Sequence, residues 1–259
     1  MDDFSLSDHY EEFIDEVMFD ADSVIESQPQ VFFDKYNELG AEAGDFPDLT
    51  YNAFSQEGAR KVKVSGYAFE EEQQELYLII NDFENIKEIR EINFSNLTPL
   101  FNQIERFFEN CTKIEYVNSL EESSPGFALG YMINTQYKFI KRVKFFIFTN
   151  AVLKTRKEKV PNKKQELEDI SIEYMYSVFD FKRYNNLDTR NNEATEIEIS
   201  VLELEEKPIK NILASSADKE IKSYLAVMPG TLLSKIYAKY GARVLEGNVR
   251  SFLQNKTKV

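Results

Sequence analysis

The sequence has one cysteine, one histidine and no tryptophan among its 259 residues. A lone thiol, Cys111, excludes an internal disulfide and any metal site built from several cysteines. With His9 as the only imidazole, zinc centres and Ser-His-Asp or Cys-His catalysis have no residues to draw on. The nine glycines are scattered singly, so no glycine loop is available to cradle a phosphate. The most apolar window, 143–153, is interrupted by Lys144, Thr149 and Asn150 and is too short to span a bilayer. The first residues are acidic and no apolar targeting region follows them. A cytoplasmic location without membrane attachment is the expectation.

What the chain does have is negative charge. Its net charge of −14 opposes loose electrostatic binding to nucleic acid or anionic membrane over most of the surface. One segment runs against that balance. Over 138–164, ten basic residues face a single acid, Glu158, so this belt carries +9 and the remainder −23. Its candidate binding residues are Lys141, Arg142, Lys144, Lys154 and Arg156. Interleaved Phe139, Phe145, Phe146 and Phe148 suit base stacking, or equally the core side of a strand. The belt therefore serves either nucleic acid or an acidic protein surface.

Hydrophobic periodicity predicts the elements. Residues 8–40 read as helical, with Tyr10, Phe13, Ile14, Val17 and Ala21 on one face; Pro29 divides the run and Gly40 caps its end. A loop is expected over 44–57. Strands follow at 61–69 and 74–83, joined by a polar hairpin. Leu100, Phe101, Ile104, Phe107, Phe108 and Cys111 form the stripe of a helix over 98–111, with Thr98 as cap and Pro99 at its first position. A short helix is expected at 127–133 and a buried strand at 139–149. The basic stretch 154–164, with Pro161, reads as a domain boundary. Alternation predicts further strands at 170–180, 196–204 and 221–228, a loop over 184–194, and a helix over 231–240.

The segment Tyr240-Gly-Ala-Arg-Val-Leu-Glu-Gly-Asn-Val-Arg-Ser-Phe-Leu253 packs two glycines, two arginines, a glutamate and an asparagine into an apolar-periodic frame. It resembles a hallmark of the abortive infection phage resistance family. Phe179-Asp-Phe-Lys-Arg183 is similar to an Asp-x-x-Arg element of the same family. The family's proteins are longer, so the resemblance implies that this chain is an N-terminal portion. Arg243, Glu246, Asn248 and Arg250 either staple a helix joint or fork hydrogen bonds to a carboxylate or phosphate ligand.

The resemblance also implies a core like that of restriction endonucleases. Such a core places an Asp at the start of one strand and Glu/Gln-x-Lys on the next; the carboxylates hold a divalent cation that activates water, and the lysine stabilises developing charge. On this chain the pattern falls on Ser65-Gly66 and on Asn81-Asp82-Phe83, which offer a hydroxyl, an amide and a benzene ring. A shift of one or two residues makes Asp82 and Glu84 the ligands of Mg or Mn. Two functions follow: a degenerate, nuclease-like recognition or assembly module, or an active metal-dependent nuclease acting on DNA or RNA. The module would bind the rest of a longer protein or another protein partner. The expected fold is α/β, with N-terminal helices on a mixed sheet over 1–160 and a second α/β region over 165–259.

Overall fold

A computed structural model describes residues 3–58, 60–154, 161–167, 170–192, 200–201, 204, 209–215 and 223–240. Helix α1, Asp3–Val24, repeats buried residues at Tyr10, Phe13, Ile14, Val17 and Ala21, the spacing of one helical face. Helix α2, Gln28–Glu42, follows at once: the Ser27 hydroxyl accepts from the Gln30 N–H and Pro29 lies in the first turn. Gly40 does not end α2 as expected. It lies inside the helix because Phe46 packs where a side chain would stand; an added Cβ would come within 2.0 Å of the ring.

Three antiparallel strands come next: β1, Thr50–Gln56, β2, Val62–Glu70, and β3, Glu75–Asp82. β1 occupies the span expected to be a loop. It is a half-exposed edge strand whose sequence does not alternate, and pairing with β2 makes it a strand. A two-residue strand β4, Glu91–Ile92, leads into α3, Phe94–Cys111. α3 begins one turn before the expected Thr98–Pro99 start, because Asn93 and Asn96 form a reciprocal cap. The short α4, Ile114–Val117, and α5, Pro125–Gln136, complete this stretch, α5 being capped by Ser124.

Strand β5, Arg142–Thr149, runs parallel to β3, and β8, Ile170–Phe179, parallel to β5. Between them lie β6, Val152–Leu153, which pairs with β4, and β7, Lys163–Leu167, antiparallel to β8. The main sheet has the order β1-β2-β3-β5-β8-β7. β8 thus belongs to this sheet and not to the second one expected for it, and the expected boundary at 154–164 falls inside the first unit. The chain divides instead into units 1–192 and 193–259. Phe139 sits in a 3-10 turn ahead of β5 and is exposed.

Alternation along β3 and β5 sends side chains to both faces. Leu76, Leu78, Ile80, Phe145 and Ile147 meet α3 and α5; Tyr77, Ile79, Phe146 and Phe148 meet α1 and α2. The first unit is therefore a three-layer α/β/α sandwich. Its last helix, α6, Phe181–Asn192, replaces a predicted loop. The Asp180 carboxylate accepts from the Arg183 N–H at its start, and Phe181 and Tyr184 anchor it in the aromatic core of α1 and α2.

In the second unit, β9, Asn211–Ser215, pairs with β10, Ser223–Ala226, and α7, Gly230–Tyr240, follows. Of the strand expected at 196–204, Val201 and Leu204 are helical and most of the rest lies outside the described residues.

Gly66 on β2 lies under the Phe33 ring. A Cβ there would stand 2.3 Å from Phe33 Cε2 and 3.0 Å from the Thr50 carbonyl oxygen. Gly66→Ala is expected to cost roughly 1–3 kcal/mol by overpacking, read from urea midpoints by circular dichroism.

Candidate functional site

Ser65 and Asn81, on which the nuclease-type pattern is expected to fall, lie side by side across β2 and β3. The Ser65 hydroxyl accepts from the Asn81 N–H at 2.9 Å. Both residues are only 4% exposed. The Asn81 amide nitrogen donates to the Pro29 carbonyl at 2.9 Å, so the first turn of α2 closes over the pair. Phe83 packs its ring on Phe32, with 5.0 Å between centroids. Lys63, one strand away from the expected lysine position, donates from Nζ to the Asn81 carbonyl at 2.7 Å. Burial lowers the pKa of that ammonium, while the charge of Asp82 pulls the other way.

Asp82 and Glu84 lie where β3 ends, beside the end of β5. In open α/β sheets, ligands bind in the crevice outside the carboxyl ends of the strands. Here that place holds a guanidinium. Arg90 Nη2 stands 3.1 Å from Asp82 Oδ2, and Nη1 stands 2.7 Å from Glu84 Oε1. Asp82 Oδ2 also accepts from the Thr149 hydroxyl at 2.7 Å. The Asn150 side chain joins the rest: its oxygen accepts from the Glu84 N–H and from Arg90, and its nitrogen donates to the Glu84 carbonyl and to the Tyr10 hydroxyl. Tyr10 belongs to α1, so the network ties the N-terminal helix to the strand ends. Burial pushes the Tyr10 phenol up to about 12, with Arg90 opposing and Glu84 assisting. It stays neutral at any ordinary pH.

Arginine does not lose its proton in proteins, so the charge between the two carboxylates is permanent. Mg or Mn would need oxygen donors facing an open position. The donors here face Arg90, and the set does not fit a divalent ion. Among the described residues no group of three His, Cys, Asp or Glu is placed to hold a metal.

The basic belt is largely paired where it is described. Glu75, nearly buried, binds Arg142 at 2.6 Å and Lys144 at 2.5 Å, and accepts from the Tyr77 hydroxyl at 2.9 Å. Burial would lift the Glu75 carboxyl, but the hydrogen bonds from Lys144 and Tyr77 and the charges of Lys144 and Arg142 outweigh it and hold it below its usual range. Lys154 pairs with Glu91 and Lys163 with Glu105. Lys141 is exposed, and Arg156 lies outside the described residues. Phe145, Phe146 and Phe148 are core.

Asp180 and Arg183 meet through the backbone, the Arg183 N–H donating to the Asp180 carboxylate. Asp180 caps α6 and accepts from the Leu153 N–H, whereas Arg183 pairs with Asp45 and covers the Phe179 ring. Arg243, Glu246, Asn248 and Arg250 lie outside the described residues. Cys111 is buried, and burial pushes its thiol far up, away from nucleophile chemistry. Sequence reasoning missed Lys63, Arg90, Thr149, Asn150 and Tyr10. Arg90 lies in a polar, non-periodic stretch, and the Tyr10–Asn150 bond spans 140 positions.

The profile of the abortive infection phage resistance protein N-terminal domain matches residues 32–186. The chain belongs to the abortive infection phage resistance family. The matched residues run from α2 into α6, so they hold all six strands of the main sheet; the segment 240–253 lies beyond them. No curated protein and no solved structure matches the chain significantly.

Two substitutions test the electrostatics. Arg90 and Asp82 side chains are 20% and 21% exposed. Arg90→Ala leaves two carboxylates facing each other and is expected to cost roughly 2–3 kcal/mol, below the range for a fully buried pair; chemical denaturation measures it. Asp34 on α2 has its pKa raised from 3.8 to about 6, by desolvation first and then by Glu26 and Asp48. Its raised native pKa means that its contribution to stability is full below the unfolded value and is lost as pH rises through about 6. Asp34→Asn should therefore raise the melting temperature at pH above 7 and leave it nearly unchanged below pH 4.

Proposed function

We propose that this chain is a recognition or assembly module of a bacterial abortive-infection phage-defence protein, built on a nuclease-like α/β core whose catalytic position is closed. The single observation that carries this reading is the state of the pattern positions. Ser65 and Asn81 are bonded to each other and sealed under α2, and Arg90 stands between Asp82 and Glu84. Hydrolysis of a phosphodiester needs anionic ligands open to a cation and a path for water. Here both carboxylates are already paired with Arg90, although Glu84 is half exposed. The mixed sheet between two helical layers supports the nuclease-like part of the reading.

A protein partner, or the rest of a longer chain, fits the charges better than nucleic acid does. Arg142, Lys144, Lys154 and Lys163 already have carboxylate partners, and the net charge is −14. No helix among the described residues is long and apolar enough to cross a membrane. We place the module in the cytoplasm, where the phage nucleic acid and proteins it would answer to are made.

One observation favours the nuclease alternative: the Lys63 ammonium lies on the strand next to Asn81 and near Asp82. Incubation of the purified chain with manganese and single- or double-stranded DNA or RNA decides between the two. The module reading expects no cleavage and no change in Asp82→Ala. Cleavage that Asp82→Ala or Lys63→Ala abolishes would establish the enzyme.

A further inference from the structure

The two edges of the main sheet are finished differently. β1, at one edge, shifts register against β2 between Tyr51 and Phe54, and α5 packs against it, with the Asn52 side chain donating to the Pro125 carbonyl at 3.1 Å. Bulges and covering helices are ordinary ways to close an edge. β7, at the other edge, pairs with β8 without a break from Lys163 to Leu167. Among the described residues no backbone hydrogen bond reaches its outer side.

Lysines are another way to close an edge. Lys163 does not serve that purpose here. Its ammonium is drawn to the α3 side, where it pairs with Glu105 at 2.6 Å and lies over the Tyr174 and Tyr176 rings. Strand alternation sends Lys164 and Glu166 together to the opposite face. Both are exposed, and the Ser171 hydroxyl donates to Glu166 Oε1 at 2.7 Å. The open edge therefore carries one cation and one anion, two residues apart.

That spacing selects a partner. In an antiparallel pair, facing residues either both turn their N–H and C=O toward the other strand or both turn them away. When a strand meets its own copy, a residue can therefore face only its own number or one an even count away. Centring the pair on Lys164 sets lysine against lysine, and centring it on Glu166 sets glutamate against glutamate. Centring it on Gln165 keeps all five residues of β7 paired and sets Lys164 against Glu166 twice.

We propose that β7 is a self-association edge, on which a second copy of the chain pairs its own β7 antiparallel about a two-fold axis at Gln165, joining the two main sheets into one. The contact is isologous: Lys164 of each copy faces Glu166 of the other, and Lys163 faces Leu167. Exposed ion pairs contribute little by themselves, so the backbone ladder holds the copies together and the charges choose the register. The net charge of −14 opposes the encounter at long range. At about 0.15 M salt that repulsion is screened beyond roughly 8 Å, which leaves the facing residues to decide. The inference rests on the edge alone and holds whether or not the strand ends at Asp82 carry chemistry.

Sedimentation equilibrium of the full chain, at about 0.15 M salt and up to about 1 mM protein, is the test. The parent should show a monomer–dimer equilibrium. Lys164→Glu and Glu166→Lys each set like charges against one another twice, and each alone should associate at least tenfold more weakly. An equal mixture of the two variants sets glutamates against lysines at both positions and should recover association at least as tight as the parent's. That recovery separates a lost contact from a lost fold, because both variants must keep β7 formed to pair. A parent that stays monomeric, single variants that associate as the parent does, or a mixture no tighter than its components would each overturn the proposal.

Discussion

The Arg90 guanidinium holds the ends of β3 and β5 together. Two carboxylates, Asp82 and Glu84, converge on it, and the Asn150 amide bridges it to the Glu84 backbone and to Tyr10 of α1. Buried polar groups must be satisfied from within the protein, and a half-satisfied cluster is worse than none. A metal with waters would meet the same need in an enzyme. Here a permanent cation on the chain itself pairs with both carboxylates and ties the strand ends together, with its own Nε left buried and unpartnered.

Ser65 and Asn81 are bonded through the Asn81 N–H, and the Asn81 amide nitrogen donates to the Pro29 carbonyl, while the Asn81 side-chain oxygen is buried without a partner. Gly66 beside them lets Phe33 of α2 approach the sheet. The packing of α2 depends on these positions: the helix can cover them because they carry small or neutral side chains. Charged ligands there would demand solvent or metal and would resist burial.

Much of this was legible from residue spacing. The α3 stripe from Leu100 to Cys111 is an unbroken helical face, and β3 is apolar on both faces because both are covered. Alternation identified β8 as a strand but not its sheet, since alternation records which faces are buried and not which neighbour pairs. β1 was hidden because an edge strand needs no continuous apolar face, and α6 because its Asn-rich sequence has weak helix propensity and is held by the Asp180 cap and two aromatic anchors. The site was half legible. Ser65 and Asn81 followed from a pattern, whereas Arg90, Asn150 and Tyr10 are joined only by folding, across 60 and 140 positions.

Family membership and geometry therefore speak to different parts of the molecule. The family match covers the main sheet and the Ser65–Asn81 pair, while most of α1 lies before it. The account stands or falls on what occupies the space between Asp82 and Glu84. Crystals soaked in manganese, read by anomalous scattering, measure this directly. The guanidinium of Arg90 should remain between the two carboxylates with no anomalous peak beside it. A manganese ion bound by Asp82 and Glu84, with Arg90 turned away, would contradict the account.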